Sequence, residues 1–368
     1  MTAPRRPERP ALSVVPGVEG GHDGLPRPGG RAAGPAPRRR ELSHEEYVRG
    51  VLAGDRTLLA RAITLVESNA PAHAEAARRL VTELLPRAGG SVRVGITGVP
   101  GAGKSTFIEA LGCHLTGRGH RVAVTAVDPT SSLTGGSILG DKTRMERLSV
   151  DPAAFIRPSP SGGALGGVAR KTRETIVLLE AAGHDVVLVE TMGVGQSEIA
   201  VRSMVDFFLL LLVPGAGDEL QGIKKGVVEM ADAILVNKAD GENALAAAAA
   251  RAEYERALHW LHPATEGWRT QARTASALTG TGISELWELV EEFRRATRAT
   301  GAFERRRRTQ ERDWMRALLE EGLTALFRGN PAVAALLPGL EAEVVEGRLP
   351  ASVAAERLLA AFEGRKRT

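Results

Sequence analysis

The stretch GITGVPGAGKST, Gly95 to Thr106, holds the residues whose types and spacing carry the clearest chemistry. Gly98, then Gly103-Lys104-Ser105 after four intervening residues, fits a phosphate-binding loop. Glycines there let backbone N–H groups turn inward around phosphate oxygens with no Cβ in the way. Lys104 would reach the β- and γ-phosphates, and the Ser105 hydroxyl would ligate Mg²⁺. The phosphate-binding candidates are therefore Gly98, Gly101, Ala102, Gly103, Lys104, Ser105 and Thr106. A chance glycine-rich turn is the bland alternative in a chain with 42 Gly. Strand-like VRVGIT before the loop and helix-periodic KSTFIEALGCHL after it argue against that alternative.

A second motif addresses the base. ILVNKAD ends a strand-like run with Asn237-Lys238-x-Asp240. A carboxylate there accepts from both the ring N–H and the exocyclic amine of guanine, a donor pair that adenine lacks. An unpaired buried carboxylate costs on the order of 1–3 kcal/mol or more, so ATP is disfavoured roughly tenfold or beyond. Ser276-Ala277-Leu278, opening SALTGTG, could supply backbone donors to guanine O6. The expected ligand is GTP or GDP.

Hydrolysis needs carboxylates for Mg²⁺ and water. Asp128, Asp141 and Glu190 are the candidates, each able instead to be an ordinary turn or cap residue. Glu190-x-x-Gly193 stands where many GTPases carry Asp-x-x-Gly, whose glycine N–H senses the γ-phosphate. Val194 follows in the place of a water-orienting glutamine, and Gln196 lies two residues further on. Slow intrinsic turnover is therefore expected, awaiting a residue from a partner or a rearrangement worth roughly 10³–10⁵ in rate. Arg144, three residues beyond Asp141, is the candidate positive charge for the transition state, weighed against an ordinary surface arginine.

The elements that must position these residues are legible as well. Seven strand-like runs alternate with helical stretches: VRVGIT, RVAVTAVD, AAFIRP, DVVLVE, DFFLLLLV, DAILVN and RTQARTAS. This alternation predicts an α/β fold with a doubly wound, mostly parallel sheet and ligands at the carboxyl ends of its strands. Residues 1–40 are rich in Pro, Gly and Arg and read as a disordered tail. Residues 41–90 read as an N-terminal helical segment, with a capping box at Ser43 and Glu46 and with Leu59, Ile63 and Val66 on one face. Residues 91–299 form the expected nucleotide-binding domain. Residues 300–368 are helical throughout, with too little core to stand alone, and predict docking or dimerisation.

Composition narrows the class. At 43% hydrophobic and 25% charged over 368 residues, the chain is that of a globular protein. Its longest apolar run, Phe207 to Val213, is too short to span a bilayer. One cysteine excludes an internal disulfide and fits a reducing compartment. The first forty residues contain no apolar stretch of the kind an export signal needs, so a cytoplasmic protein is expected, or a mitochondrial-matrix one in a eukaryote. The run Arg305–Arg308 reads as a charged, solvated helix face, because four consecutive helical residues point to all sides. With aromatics at 4%, nucleic-acid binding is not expected.

Taken together, these strings resemble the methylmalonyl-CoA mutase-associated GTPases of the MeaB/ArgK type, in the SIMIBI class of P-loop proteins. The resemblance runs from about Tyr47 into the C-terminal helices. It rests most specifically on LGDKTRM, ETMGVGQSE and GAGDELQGIKKG. Met192 and Thr130 depart conservatively, standing where Val and Ser are expected. The resemblance implies a homodimeric GTPase serving an adenosylcobalamin-dependent acyl-CoA mutase, gating cofactor loading and protecting the mutase from inactivation. It implies Mg²⁺ and active-site roles for Asp128, Asp141 and Glu190, and a partner-coupling role for Asp218, Gln221 and Lys224. Two other readings are an ArgK-type kinase linked to transport and a nickel-insertion GTPase using Cys113 and His114. No Asp-x-His-x-x-Gly signature is present, so the cobalamin is expected to belong to the partner.

Overall fold

A computed structural model describes residues 40, 42–127, 145–157, 165–191, 197–215 and 225–364. The chain divides into two units, Met1–Leu42 and Ser43–Thr368. The expected disordered tail lies almost wholly outside the described residues. The sheet, its helices and the candidate site all belong to the second unit.

Seven parallel strands form one sheet in the order β3-β2-β4-β1-β5-β6-β7. They are β1 (Val92–Gly98), β2 (Val122–Val127), β3 (Ala154–Arg157), β4 (Val186–Thr191), β5 (Phe207–Leu212), β6 (Ala233–Val236) and β7 (Gln271–Thr274). Each overlaps one of the seven runs expected from sequence, with β1 and β4 each ending one residue beyond its run. The central strands are apolar at almost every position because both faces are covered, as parallel sheets require. Alternate residues serve opposite faces. Val186 and Leu188 of β4 join one core, with Val94, Ile96, Phe207 and Leu209. Val187 and Val189 join the other, with Phe208.

The first face is packed by α4 (Lys104–Gly117) and α10 (Ile283–Ala299). Phe107, Ile108, Leu111 and Leu115 of α4 are fully buried there, with Leu286, Trp287, Val290 and Phe293 of α10. The opposite face is packed by α2 (Arg56–Glu67), α3 (Pro71–Leu84), α6 (Leu165–Ala181) and α7 (Ser197–Arg202). Leu59, Ile63 and Val66 of α2 are buried in that core, the face expected from their spacing. Before α2, α1 (His44–Leu52) opens with both halves of the capping box. Ser43 Oγ accepts from Glu46 N–H, and Glu46 Oε2 accepts from Ser43 N–H at 2.8 Å. The short α5 (Glu146–Val150) precedes β3. Helices α8 (Lys225–Met230) and α9 (Asn243–Leu258) flank β6.

After α10, the chain runs into α11 (Ala302–Gly329), α12 (Pro331–Val345) and α13 (Ala351–Phe362). Only the first part of the 28-residue α11 is anchored on the sheet domain, through buried Ala302, Phe303 and Gln310. Here the structure corrects the reading of Arg305–Arg308 as a solvated face. Arg305 and Arg308 are exposed, but Arg306 and Arg307 turn inward onto aspartates that open two strands. Arg307 binds Asp206 through Nε (2.7 Å) and Nη2 (2.6 Å) and donates to the Gly89 and Ser91 carbonyls. Arg306 binds both carboxylate oxygens of Asp232, at 3.1 and 3.2 Å. Sequence shows that a consecutive run points to all sides. It does not show that one of those sides faces two buried carboxylates.

Among the described residues, no helix is long and apolar enough to cross a membrane.

Candidate nucleotide site

The carboxyl ends of β1, β4, β6 and β7 gather the described candidate residues. Strand β1 passes into its loop at Gly98, paired with Leu211 of β5. Any Cβ at Gly98, whose φ is 154°, would collide with the Leu211 carbonyl oxygen. The loop closes through Ala102 N–H to the Val99 carbonyl at 3.1 Å. Gly103, at φ 82°, then starts α4, and a Cβ there would sit 2.9 Å from Asn237 Nδ2. Both glycines are required by backbone conformation and by close approach of neighbouring groups. The start of a 14-residue helix, with its free N–H groups and positive dipole end, thereby faces the loop.

Lys104 folds back over this loop. Its Nζ donates to the Gly98 carbonyl at 2.9 Å and the Val99 carbonyl at 3.2 Å. An ammonium group has three donors, so one remains for an anion. Burial lowers its pKa, while Glu190 and Glu198 pull it up. Ser105 Oγ donates to Glu190 Oε1 at 3.1 Å, joining the helix start to the end of β4. Two oxygen ligands of one octahedral Mg²⁺, each about 2.1 Å from the ion, stand about 3 Å apart. This oxygen pair fits a small hard cation. Beside it, Thr191 Oγ1 donates to Thr97 Oγ1 at 2.8 Å, tying the ends of β4 and β1.

On the base side, Asn237 is buried and acts as a brace. Its Nδ2 donates to the Ala102 carbonyl at 2.9 Å, and its Oδ1 accepts from Ala277 N–H at 3.2 Å. The phosphate loop, the end of β6 and the loop after β7 are thus one hydrogen-bonded unit. Lys238, next in sequence, has φ 58°, the only positive φ of a non-glycine among the described residues. Flanking bonds from Asn237 N–H to Leu212 and from Ala239 N–H to Ala275 hold it there, at 2.8 and 3.0 Å. Asp240 follows at the mouth of the same turn, half-buried. Ser276 Oγ accepts from Thr279 N–H at 3.1 Å within its own loop, and Leu278 is exposed at the tip.

Asp128, Asp141, Arg144, Gly193, Asp218, Gln221 and Lys224 lie outside the described residues. Sequence reasoning missed Glu198, a buried acid in the first turn of α7 whose charge acts on Lys104. It stands in the string ETMGVGQSE, but nothing in its spacing marks it. The brace formed by Asn237 was also missed, since the motif was read for its carboxylate. Cys113 packs partly buried against the core beside Ala110, and burial raises its thiol pKa.

An all-parallel sheet whose first strand runs through a glycine loop into a helix, with an Asn-Lys-x-Asp turn braced against it, defines a P-loop GTPase. The family model described as "Methylmalonyl Co-A mutase-associated GTPase MeaB" matches residues 59–332. GTPase ArgK of Escherichia coli strain K12 is 50% identical over 281 residues, 76% of this chain and 85% of that protein. The mouse (Mus musculus) protein named "Methylmalonic aciduria type A homolog, mitochondrial" is 47% identical over 326 residues, 86% of this chain and 79% of that one. A crystal structure of a LAO/AO transport system kinase superposes with a TM-score of 0.72 at 38% identity, covering 88% of this chain and 99% of the other. The chain belongs to the MeaB family of GTPases.

Proposed function

We propose that this GTPase is a chaperone for an adenosylcobalamin-dependent acyl-CoA mutase, most directly methylmalonyl-CoA mutase. In this reading GTP binding and hydrolysis gate cofactor loading and protect the mutase from inactivation. The observation that carries it is the family match over residues 59–332, whose description names the mutase association. The mouse relative's name, which refers to methylmalonic aciduria, supports the same client.

In this reading the chain's own groups do the following. Backbone N–H groups of Gly101–Thr106 hold the phosphates, and the third N–H of Lys104 meets the β/γ oxygens. Asp240 selects guanine, and Asn237 keeps its turn in register with the phosphate loop. Ser105, Glu190, Asp128 and Asp141 would hold Mg²⁺, which neutralises phosphate charge when bound. Gly193 would sense the γ-phosphate, and Arg144 would meet charge developing in the transition state. Asp218, Gln221 and Lys224 would carry the nucleotide state to the client.

The C-terminal helices support a homodimer. Met315, Leu319, Leu323 and Leu326 of α11 each expose more than half of their surface, at helical spacing along one side. A second copy covering this stripe accounts for it. The protein is read as cytoplasmic, or in the mitochondrial matrix of a eukaryote, where the mutase cofactor would be bound by the client and not by this chain.

The test is the steady-state GTP hydrolysis rate of the chain alone and with stoichiometric methylmalonyl-CoA mutase. A slow basal rate that rises at least tenfold supports the reading. A rate unchanged by the mutase, with no complex on gel filtration, overturns the client assignment and leaves a GTPase.

A further inference from the structure

Strands β1 and β4 carry the two halves of the site, the phosphate loop and Glu190, and their pairing stops just short of it. Among the described residues, their last backbone pair is Ile96 with Glu190. Beyond that pair β1 continues on β5, with Thr97 beside Leu210 and Gly98 beside Leu211. Strand β4 continues on β2, with Thr191 beside Val127. Each strand end is therefore held by its outer neighbour. Among the described residues, no backbone ladder sets the distance between the two ends at the level of the site.

A side-chain link stands where the ladder stops. Thr191 Oγ1 donates to Thr97 Oγ1 at 2.8 Å, and the two residues expose 0% and 1% of their surface. Alternation puts Thr191 on the face of Val187 and Val189, opposite Glu190. Thr97 shares the face of Gly95, where an added Cβ would meet Val201, Val205 and Phe208. The hydroxyl pair thus lies on the α7 side of the sheet, and Ser105 meets Glu190 at 3.1 Å on the α4 side. The strand ends are tied on both faces.

Stability does not account for this pair. Valine has nearly the shape of threonine, and every residue of β4 before Glu190 is valine or leucine. Replacing both partners of a buried hydrogen bond by apolar groups of the same shape is close to neutral, whereas removing one leaves the other unpaired. What two valines lack is direction: they fill the space without fixing how far one strand has advanced along the other. The bridge fixes this one residue from Glu190 and one residue from Gly98, whose carbonyl holds Lys104 at 2.9 Å.

We propose that Thr97 and Thr191 are positioning residues that set the spacing of the Ser105 and Glu190 oxygens for a divalent cation. The inference rests on the reading of those two side chains as Mg²⁺ ligands and adds the link that holds them in register. Both threonines act through Glu190 and the phosphate loop, from the opposite face of the sheet. Groups that orient metal ligands in this way are worth roughly 10–100-fold in metal affinity.

The experiment loads the full chain with GDP and titrates Mg²⁺ by calorimetry, with GDP affinity measured separately in EDTA. Thr97→Val combined with Thr191→Val is expected to weaken Mg²⁺ binding about tenfold, with GDP affinity in EDTA and the thermal midpoint both close to wild type. Thr97→Ser combined with Thr191→Ser keeps both hydroxyls and should restore the metal affinity. Wild-type Mg²⁺ affinity in the double valine variant overturns the proposal and leaves the ligand reading standing. An equal loss of GDP affinity in EDTA overturns it as well, because the bridge then supports the loop and not the metal. A serine pair as weak as the valine pair assigns the loss to packing, and a double valine variant that fails to fold makes the pair structural; either result overturns the proposal. Unchanged Mg²⁺ affinity in Glu190→Gln overturns the ligand reading itself, and this inference with it.

Discussion

Two sites at opposite ends of the sheet treat positive charge in opposite ways. At the carboxyl end, Lys104 rests on two backbone carbonyls, those of Gly98 and Val99. At the amino end, inward arginines rest on carboxylates. Arg93 lies on Glu180 with two bonds of 2.9 Å, Arg307 on Asp206, and Arg306 and Arg202 on Asp232. The aspartates also accept from strand N–H groups: Asp206 from Arg93 and Asp232 from Phe208, both at 2.9 Å. A cation on carbonyl dipoles keeps most of its charge available to an incoming phosphate. A cation on a carboxylate has already spent it on the fold. The Lys104 site is left for an anion, and the aspartates at the other end clamp α11 to the strands.

Breaking each end in turn should separate function from stability. Lys104→Ala is expected to lower GTP turnover by about 10²–10³-fold, with a small change in thermal midpoint. Wild-type single-turnover rates in that variant would end the contrast. Asp206→Ala strips the partner from Arg307 and an acceptor from the Arg93 N–H. It should cost about 3–5 kcal/mol in urea unfolding, with turnover per folded molecule within about threefold of wild type. A large loss of turnover at full stability would mean that the clamp reaches the site.

The amino end should also govern pH dependence. His184, buried just before β4, has its pKa pushed down to about 4, by burial first and then by Arg121, against the hydrogen bond to the Leu179 carbonyl. The unfolded chain takes up this proton near pH 6.5 and the folded chain only near 4. Its contribution is therefore complete above pH 6.5 and lost as pH falls towards 4. Unfolding free energy should drop by about 2 kcal/mol between pH 7.5 and 5, and His184→Gln should flatten that slope. The smallest effect belongs to the carboxyl end. Asp240→Asn should weaken GTP binding roughly ten- to a hundredfold in competition assays while leaving weak ATP binding unchanged. Equal loss for both nucleotides would mean that Asp240 supports the loop and does not select the base.

Much of the fold could be read directly, because a parallel sheet covered on both faces writes itself as continuous apolar runs. DFFLLLLV and DVVLVE became β5 and β4 for that reason. The phosphate loop was readable because its backbone demands are local: Gly98, Gly101 and Gly103 all have positive φ. The pairing of Ser105 with Glu190 was only half readable. Both were candidates, but their 3.1 Å contact depends on β4 lying beside β1, and the two strands are some ninety residues apart in the chain.

The sequence by itself determined what is local: the strand and helix periods, the capping box at Ser43, the glycine loop and the Asn-Lys-x-Asp turn. Backbone sterics and side-chain periodicity act within a few residues, so their record survives in a linear string. Only the tertiary structure decided which of the four arginines 305–308 turn inward, that Asn237 braces the phosphate loop, that Glu198 acts on Lys104, and that Arg173 lies over the Trp314 ring. Each of these depends on the electrostatic surroundings of a group, and those are set by strands and helices whose distance along the chain says nothing of their distance in space.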